Sequence, residues 1–150
     1  GSEMCIRDRN YSGGPTGWSS NSVNSVPFSV LGVFNDYSVR WTVASDPGST
    51  TWVVGLGVTE SGRNWRDVDY GLRSSEGDLK VYENGVWRSS SANLKAGDML
   101  EIYVNDTQIE YRLNGAPVYT TSIQGDEDFY LDTSFKQGAI DLASFTLVAN

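Results

Sequence analysis

From residue 37 onward the chain alternates apolar and polar positions with a period of two, broken every six to ten residues by Gly-, Asn- or Asp-containing turns. That period is the mark of a strand with one buried face. Tyr37 to Ala44 places Val39, Trp41 and Val43 on one side and Arg40 and Thr42 on the other. After the Ser45-Asp-Pro-Gly-Ser49 turn, Thr51 to Val58 is apolar at most positions and reads as a central strand. Gly55 and Gly57 fall on one face of it, where packing against a neighbouring backbone or side chain is the expected use of the space. From Asp67 to Ser122 the pattern becomes a meander. Val68, Tyr70 and Leu72 share a face, with Asp67, Asp69 and Arg73 opposite. Leu79 and Val81 point in while Lys80 and Tyr82 point out. Leu100, Ile102 and Val104 lie opposite Glu101 and Tyr103, and Ile109, Tyr111 and Leu113 opposite Glu110 and Arg112. Asn84-Gly85 and Asn114-Gly115 are the dipeptides of two-residue type I′ hairpin turns. Val26 to Phe34 is expected as a further strand, Val86 to Arg88 as a short return strand, and Phe129 to Asp132, Ala139 to Leu142 and Ser144 to Val148 as closing strands, the last pairing near the domain start. No segment carries a 3.6-residue period over a dozen positions. The expectation is an all-β chain, an antiparallel β-sandwich or jelly roll of two sheets.

Composition supports this and narrows the chemistry. The 150 residues suit one domain, read as 10 to 150. A formal charge of −8 argues against nucleic acid as a partner. No apolar run is long enough to cross a bilayer as a helix, so no membrane insertion is expected. Residues 1 to 9 show no periodicity and resemble the translated sequencing-adaptor read-through that prefixes many metagenomic reading frames, with Gly1-Ser2 equally readable as a cloning scar. The segment is set aside as a disordered tag or artefact. It holds the only cysteine, Cys5, so the domain proper has neither Cys nor His. That removes His-based triads, thiol catalysis and His or thiolate metal sites. The natural N-terminus is expected to lie further upstream, in a larger protein of which this is a module.

Carboxylates are what remains for catalysis. Asp67 and Asp69, two apart on a strand, share a face at roughly 7 Å by strand rise, a spacing that glycoside hydrolysis permits and that solvated sheet faces commonly show. Asp126-Glu-Asp128 offers oxygens to a hard cation such as calcium, but lacks the spaced ligands of a calcium loop and reads as a solvated loop, so no cofactor or metal site is assigned. For binding, the chain is better equipped. Sugars present apolar C–H faces and fixed hydroxyls, so their sites combine aromatic platforms with planar hydrogen-bonding side chains. The outward positions supply Tyr82, Tyr103 and Tyr130 beside Asp69, Arg73, Arg112 and Asp132, and the loops add Trp65, between Arg63 and Arg66, and Trp87. Trp18 is read as a lid on the core, Trp41 and Trp52 as packing.

The motifs Asp-Tyr-Gly-Leu, Val-Tyr-Glu-Asn-Gly, Gly-Asp-x-Leu-x-Ile-x-Val, Tyr-x-Leu-Asn-Gly-x-x-Val-Tyr and Leu-Asp-Thr-Ser-Phe resemble the concanavalin A-like lectin/glucanase superfamily over about Val39 to Val148, with SPRY-like sandwiches among its nearest forms. The resemblance implies a two-sheet jelly roll whose face or edge loops bind sugar in many relatives and peptides in others. The Glu-x-Asp-x-x-Glu strand of laminarinase-like members is absent, as is the His of alginate-lyase relatives. The expected function is therefore a non-catalytic module for poly- or oligosaccharide, extracellular or at a cell surface. The alternatives are a SPRY-like or adhesin-type protein-interaction module and a glycoside-active enzyme built on Asp67 and Asp69.

Overall fold

The computed structural model describes residues 2–5, 11–12, 28–33, 35–43, 51–58, 68–125, 127–137, 139–140 and 145–149. Thirteen strands are present among them: β1 (Ser2–Cys5), β2 (Tyr11–Ser12), β3 (Tyr37–Thr42), β4 (Thr51–Gly57), β5 (Tyr70–Ser75), β6 (Asp78–Glu83), β7 (Val86–Asn93), β8 (Met99–Val104), β9 (Gln108–Leu113), β10 (Ala116–Ser122), β11 (Tyr130–Gln137), β12 (Ala139–Ile140) and β13 (Thr146–Ala149). A six-stranded antiparallel sheet has the order β1-β13-β3-β8-β9-β10, and a five-stranded one the order β11-β4-β5-β6-β7, with β2 and β12 forming a separate pair. The two large sheets pack face to face as the expected all-β jelly-roll sandwich, and no α-helix occurs among the described residues. β13 pairs with β3, near the start of the domain. Within the segment set aside above, the backbone of Ser2–Cys5 runs antiparallel along β13.

Alternation sorts the core. Val39, Trp41, Leu100, Ile102, Ile109, Tyr111 and Leu147 from one sheet meet Trp52, Val54, Leu56, Leu72, Leu79, Val81 and Leu131 from the other, all buried. Trp41 and Trp52 are packing residues as expected, edge to face with centroids 6.2 Å apart. The turns follow the predicted chemistry: Asn84-Gly85 and Asn114-Gly115 both hold positive φ, as a type I′ hairpin needs. Glu76-Gly77 between β5 and β6 does the same, with Glu76 at φ 51.

Three local expectations are corrected. Where a strand was expected over Val26 to Phe34, Phe28–Leu31 forms a 3-10 turn, closed by Val33 N–H donating to Phe28 O at 3.0 Å. Phe28 is drawn out of strand register because its N–H donates to Phe129 O and its ring packs edge-on against Tyr37. The return strand β7 runs eight residues, well beyond Arg88, since its polar Ser89, Ser90 and Asn93 still pair along β6. Val68 does not share the inner face with Leu72. It precedes β5 at a bend, and with Val53 it lies over Gly71 on the outer face: a Cβ at Gly71 would sit 2.8 Å from Val53 Cγ1 and 3.1 Å from Val68 Cγ1.

Gly55 and Gly71, opposite each other on β4 and β5, show what the glycines are for. A Cβ at Gly55 would sit 1.9 Å from Tyr70 O and 2.7 Å from Gly71 Cα. The space at Gly55 is occupied by neighbouring backbone, the packing use expected of it.

Candidate functional site

The outward residues singled out from sequence divide between the two opposite faces of the sandwich. On the outer face of the five-stranded sheet, Asp132, Gly55, Gly71, Tyr82 and Trp87 form one cross-strand row, in register from β11 to β7. The next row contains Arg73 opposite Lys80, and Tyr130 lies two residues from Asp132 on the same side of β11. The two central glycines of the row are buried, with Val53 and Val68 close to Gly71, and the row is aromatic at its β7 end. The Arg73 guanidinium lies over Tyr82, 5.3 Å from the centroid, and Lys80 Nζ lies 6.0 Å from the Trp87 centroid while pairing with Asp78 at 3.5 Å. Each cation braces one ring. A bulge between Val81 and Tyr82 in the β6–β7 ladder sets Trp87 directly opposite Tyr82. Trp87 is 60% exposed and its neighbour Val86 50%, the most exposed large apolar side chains among the described residues.

Tyr103 and Arg112 belong elsewhere, on the outer face of the six-stranded sheet. There Arg40, Glu101 and Arg112 stand in one row. Glu101 Oε2 accepts from Arg40 Nε at 3.1 Å and pairs with Arg112 Nη1 at 3.4 Å, while Arg112 Nε donates to Glu110 at 2.7 Å. Glu101 is expected from alternation to face outward. It does face outward, but the two arginines close over it and leave it 3% exposed. Burial pushes its carboxyl up, and the bonds and charges of Ser38, Arg40 and Arg112 more than reverse this, leaving it below the ordinary value. The Arg112 guanidinium also stacks on Tyr103 at 4.5 Å.

Beside this network is a cleft of about 350 Å³ lined by Asn35, Asp36, Tyr103, Asn105, Asp106 and Thr107. Tyr103 Oη donates to Asp36 at 2.6 Å, which raises the tyrosine pKa, and Asn35 Nδ2 donates to Asp106 at 2.7 Å. In the sequence Asn35-Asp36 and Asn105-Asp106 read as turns, and Asn105-Asp106-Thr107 also as a glycosylation triplet, so neither dipeptide marks this cleft on its own. The signal was the repeated dipeptide; β3–β8 pairing, with Tyr37 opposite Val104, brings the two copies together.

Between the sheets, Glu83 at the end of β6 accepts from Tyr111 Oη of β9 at 2.9 Å and pairs with Arg88 Nε at 3.4 Å. Its burial raises its pKa, an effect that Tyr111, Arg88 and Thr121 oppose.

Other expected residues are placed as follows. Asp69, proposed both as a ligand contact and as half of a catalytic pair, fastens the bend before β5: its carboxylate accepts the Val58 N–H at 2.7 Å and its own N–H donates to Leu56 O. That bond ties one carboxylate oxygen to the end of β4. Asp67, Trp65, Trp18 and Asp126 lie outside the described residues. Asp128 accepts both the amide and the hydroxyl of Ser29. Among the described residues, no three Asp, Glu, His or Cys side chains converge as a metal site would require.

No family model matches the chain, and no curated protein sequence is similar to it. Solved structures are similar in fold. The Emp46p carbohydrate recognition domain superposes with a TM-score of 0.54 at 12% identity, over 77% of this chain and 68% of that one. The SPRY domain of human HERC1 gives 0.53 at 12%, over 94% and 77%. Toad ovary galectin, solved with thio-digalactose, gives 0.50 at 9%, over 88% and 98%. At these identities the likeness is one of fold, an antiparallel two-sheet β-sandwich.

Proposed function

We propose that the chain is a non-catalytic, lectin-like module that binds poly- or oligosaccharide outside the cell or at its surface, seating a sugar ring on Trp87 beside Tyr82. One observation carries the reading. A tryptophan 60% exposed stands in register with a tyrosine on a rigid sheet face, its ring braced by Lys80 and the neighbouring ring by Arg73. An exposed indole costs solvation and contributes nothing to the core, whereas it supplies the flat apolar surface a pyranose C–H face needs. Lys80 beside the indole supplies a polar contact. The likeness in fold to a carbohydrate recognition domain and a galectin supports this reading. Binding here involves stacking and hydrogen bonds, with no bond made or broken.

The test is affinity electrophoresis and a glycan array on the whole chain, with Trp87→Ala beside it. Binding to at least one polysaccharide, lost in the variant while its melting temperature holds, is the expected result. A folded protein that binds no glycan refutes the proposal. The second reading, a protein-interaction module, draws on the adjacent exposure of Val86 and Trp87 at the tip of the β6–β7 hairpin, and it gains if Trp87→Ala abolishes capture of a protein partner instead.

A further inference from the structure

The cleft at the end of the six-stranded sheet has no part in the Trp87 face, and it is built more rigidly than a surface turn requires. Asn105 Oδ1 accepts from the Thr107 amide at 2.9 Å, the Thr107 hydroxyl at 3.2 Å and the Gln108 amide at 2.9 Å, which locks the loop through Asp106. From outside, Ile123 N–H donates to Thr107 O at 2.9 Å, and the backbone passes so close at Gly125 that a Cβ there would lie 2.2 Å from Asp106 O. Across the cleft, Asp36 receives the Tyr103 hydroxyl. The polar groups are thus fixed before any ligand arrives, which lowers the ordering cost of binding.

Their chemistry selects a ligand class. Two carboxylates and no cationic side chain line the cleft, so an anionic ligand is repelled. The carboxylate of Asp106 uses one oxygen for Asn35 Nδ2. A carboxylate keeps further acceptor capacity after one such bond, and a side-chain amide carries a second N–H and a carbonyl oxygen, so the Asp106–Asn35 pair combines acceptor and donor capacity on adjoining side chains. A hydroxyl both donates and accepts. Two neighbouring hydroxyls on a ring therefore match this set, one donating to Asp106 and the other accepting from Asn35. A volume of about 350 Å³ is within the range for a single small ligand.

We propose that this cleft is a second ligand site, taking a neutral sugar residue through a vicinal pair of hydroxyls. It is independent of the Trp87 reading, and with that reading it gives the module one site on each outer face.

Amide NMR titration of the whole chain with the methyl pyranosides of glucose, galactose and mannose tests it. At least one sugar should shift the amides of Asn35, Asp36 and Asn105 to Thr107 saturably. Asp106→Ala and Asn35→Ala, both exposed positions, should each weaken that response by about tenfold or more with unchanged melting temperatures. Trp87→Ala should leave it intact, and the Trp87 indole resonance reports the other face separately. No saturable shift with any of the three sugars overturns the proposal. So does a response to calcium chloride alone with none to sugar, which makes the cleft a cation site, or tighter binding of glucuronate than of the neutral glycosides.

Discussion

Gly55→Ala tests the closest approach in the fold. In an open strand, alanine should stabilise relative to glycine by roughly 0.5–1 kcal/mol. Here the new Cβ would lie 1.9 Å from Tyr70 O, against about 3.0 Å for the shortest contacts real Cβ atoms make, so β4 and β5 must part locally by about 1.1 Å (3.0 less 1.9). The obstructing atoms are backbone, which cannot rotate away. Overpacking of this kind costs ~1–3 kcal/mol, and weakening a ladder bond adds ~1 kcal/mol. A total of ~3 kcal/mol corresponds to a fall of roughly 6–12 °C in melting temperature for a chain of this size. Gly71→Ala is the internal control. Its Cβ meets Val53 Cγ1 at 2.8 Å and Val68 Cγ1 at 3.1 Å, side-chain ends that can move, so about 1 kcal/mol and roughly 2–4 °C are expected. Calorimetry on the two variants decides the matter. If Gly55→Ala melts at or above the wild-type temperature, or no lower than Gly71→Ala, the strands are not apposed as described and the floor of the Asp132-to-Trp87 row is wrongly drawn.

Four further outcomes are expected. Trp87→Ala should lower polysaccharide affinity by about tenfold, a stacking loss of ~1–1.5 kcal/mol, with a change in melting temperature below about 1 °C because the ring is exposed; equal affinity on the array would move the site off this face. Glu101 sits below its ordinary value when folded, so it stabilises above pH 4.5 and that contribution is lost as pH falls through its folded pKa; Glu101→Gln should flatten the acid limb of a stability profile, and an unchanged limb would contradict the arginine pairing. Glu83 has the opposite sign, because its raised folded pKa favours the protonated form: its contribution is full below 4.5 and declines as pH rises through the folded value. Glu83→Gln should therefore change most, relative to wild type, on the side above 4.5, and a constant difference across pH would count against its burial. Finally, Glu76→Asn should raise the melting temperature by roughly 1–3 °C, since Glu76 holds φ 51 in a turn that asparagine tolerates better; a drop would show that the glutamate side chain matters there.

The opposed glutamates also show how far a sequence can be read. Leu100, Ile102 and Val104 announce their burial by alternation, and Glu101 and Tyr103 between them announce that they face away. Alternation is local to one strand. It cannot say that Arg40, 61 residues earlier, and Arg112 would close over Glu101, nor that Glu83, next in the inward series of Leu79 and Val81, would meet the Tyr111 hydroxyl.

The sequence by itself determined most strands of the meander, the turns at Asn84-Gly85 and Asn114-Gly115, the core aromatics Trp41 and Trp52 and the outward direction of Tyr82, Tyr103 and Arg112, because period-two patterning and positive-φ turn chemistry act over a few neighbouring residues. Only the tertiary structure decided which outward residues share a surface. Tyr82 and Trp87 lie on one sheet, Tyr103 and Arg112 on the other, and two distant Asn-Asp turns meet in one cleft. Those outcomes depend on which strands pair across long loops, β3 with β8 and β4 with β11, and that choice is made by the fit of whole sheets over a shared core.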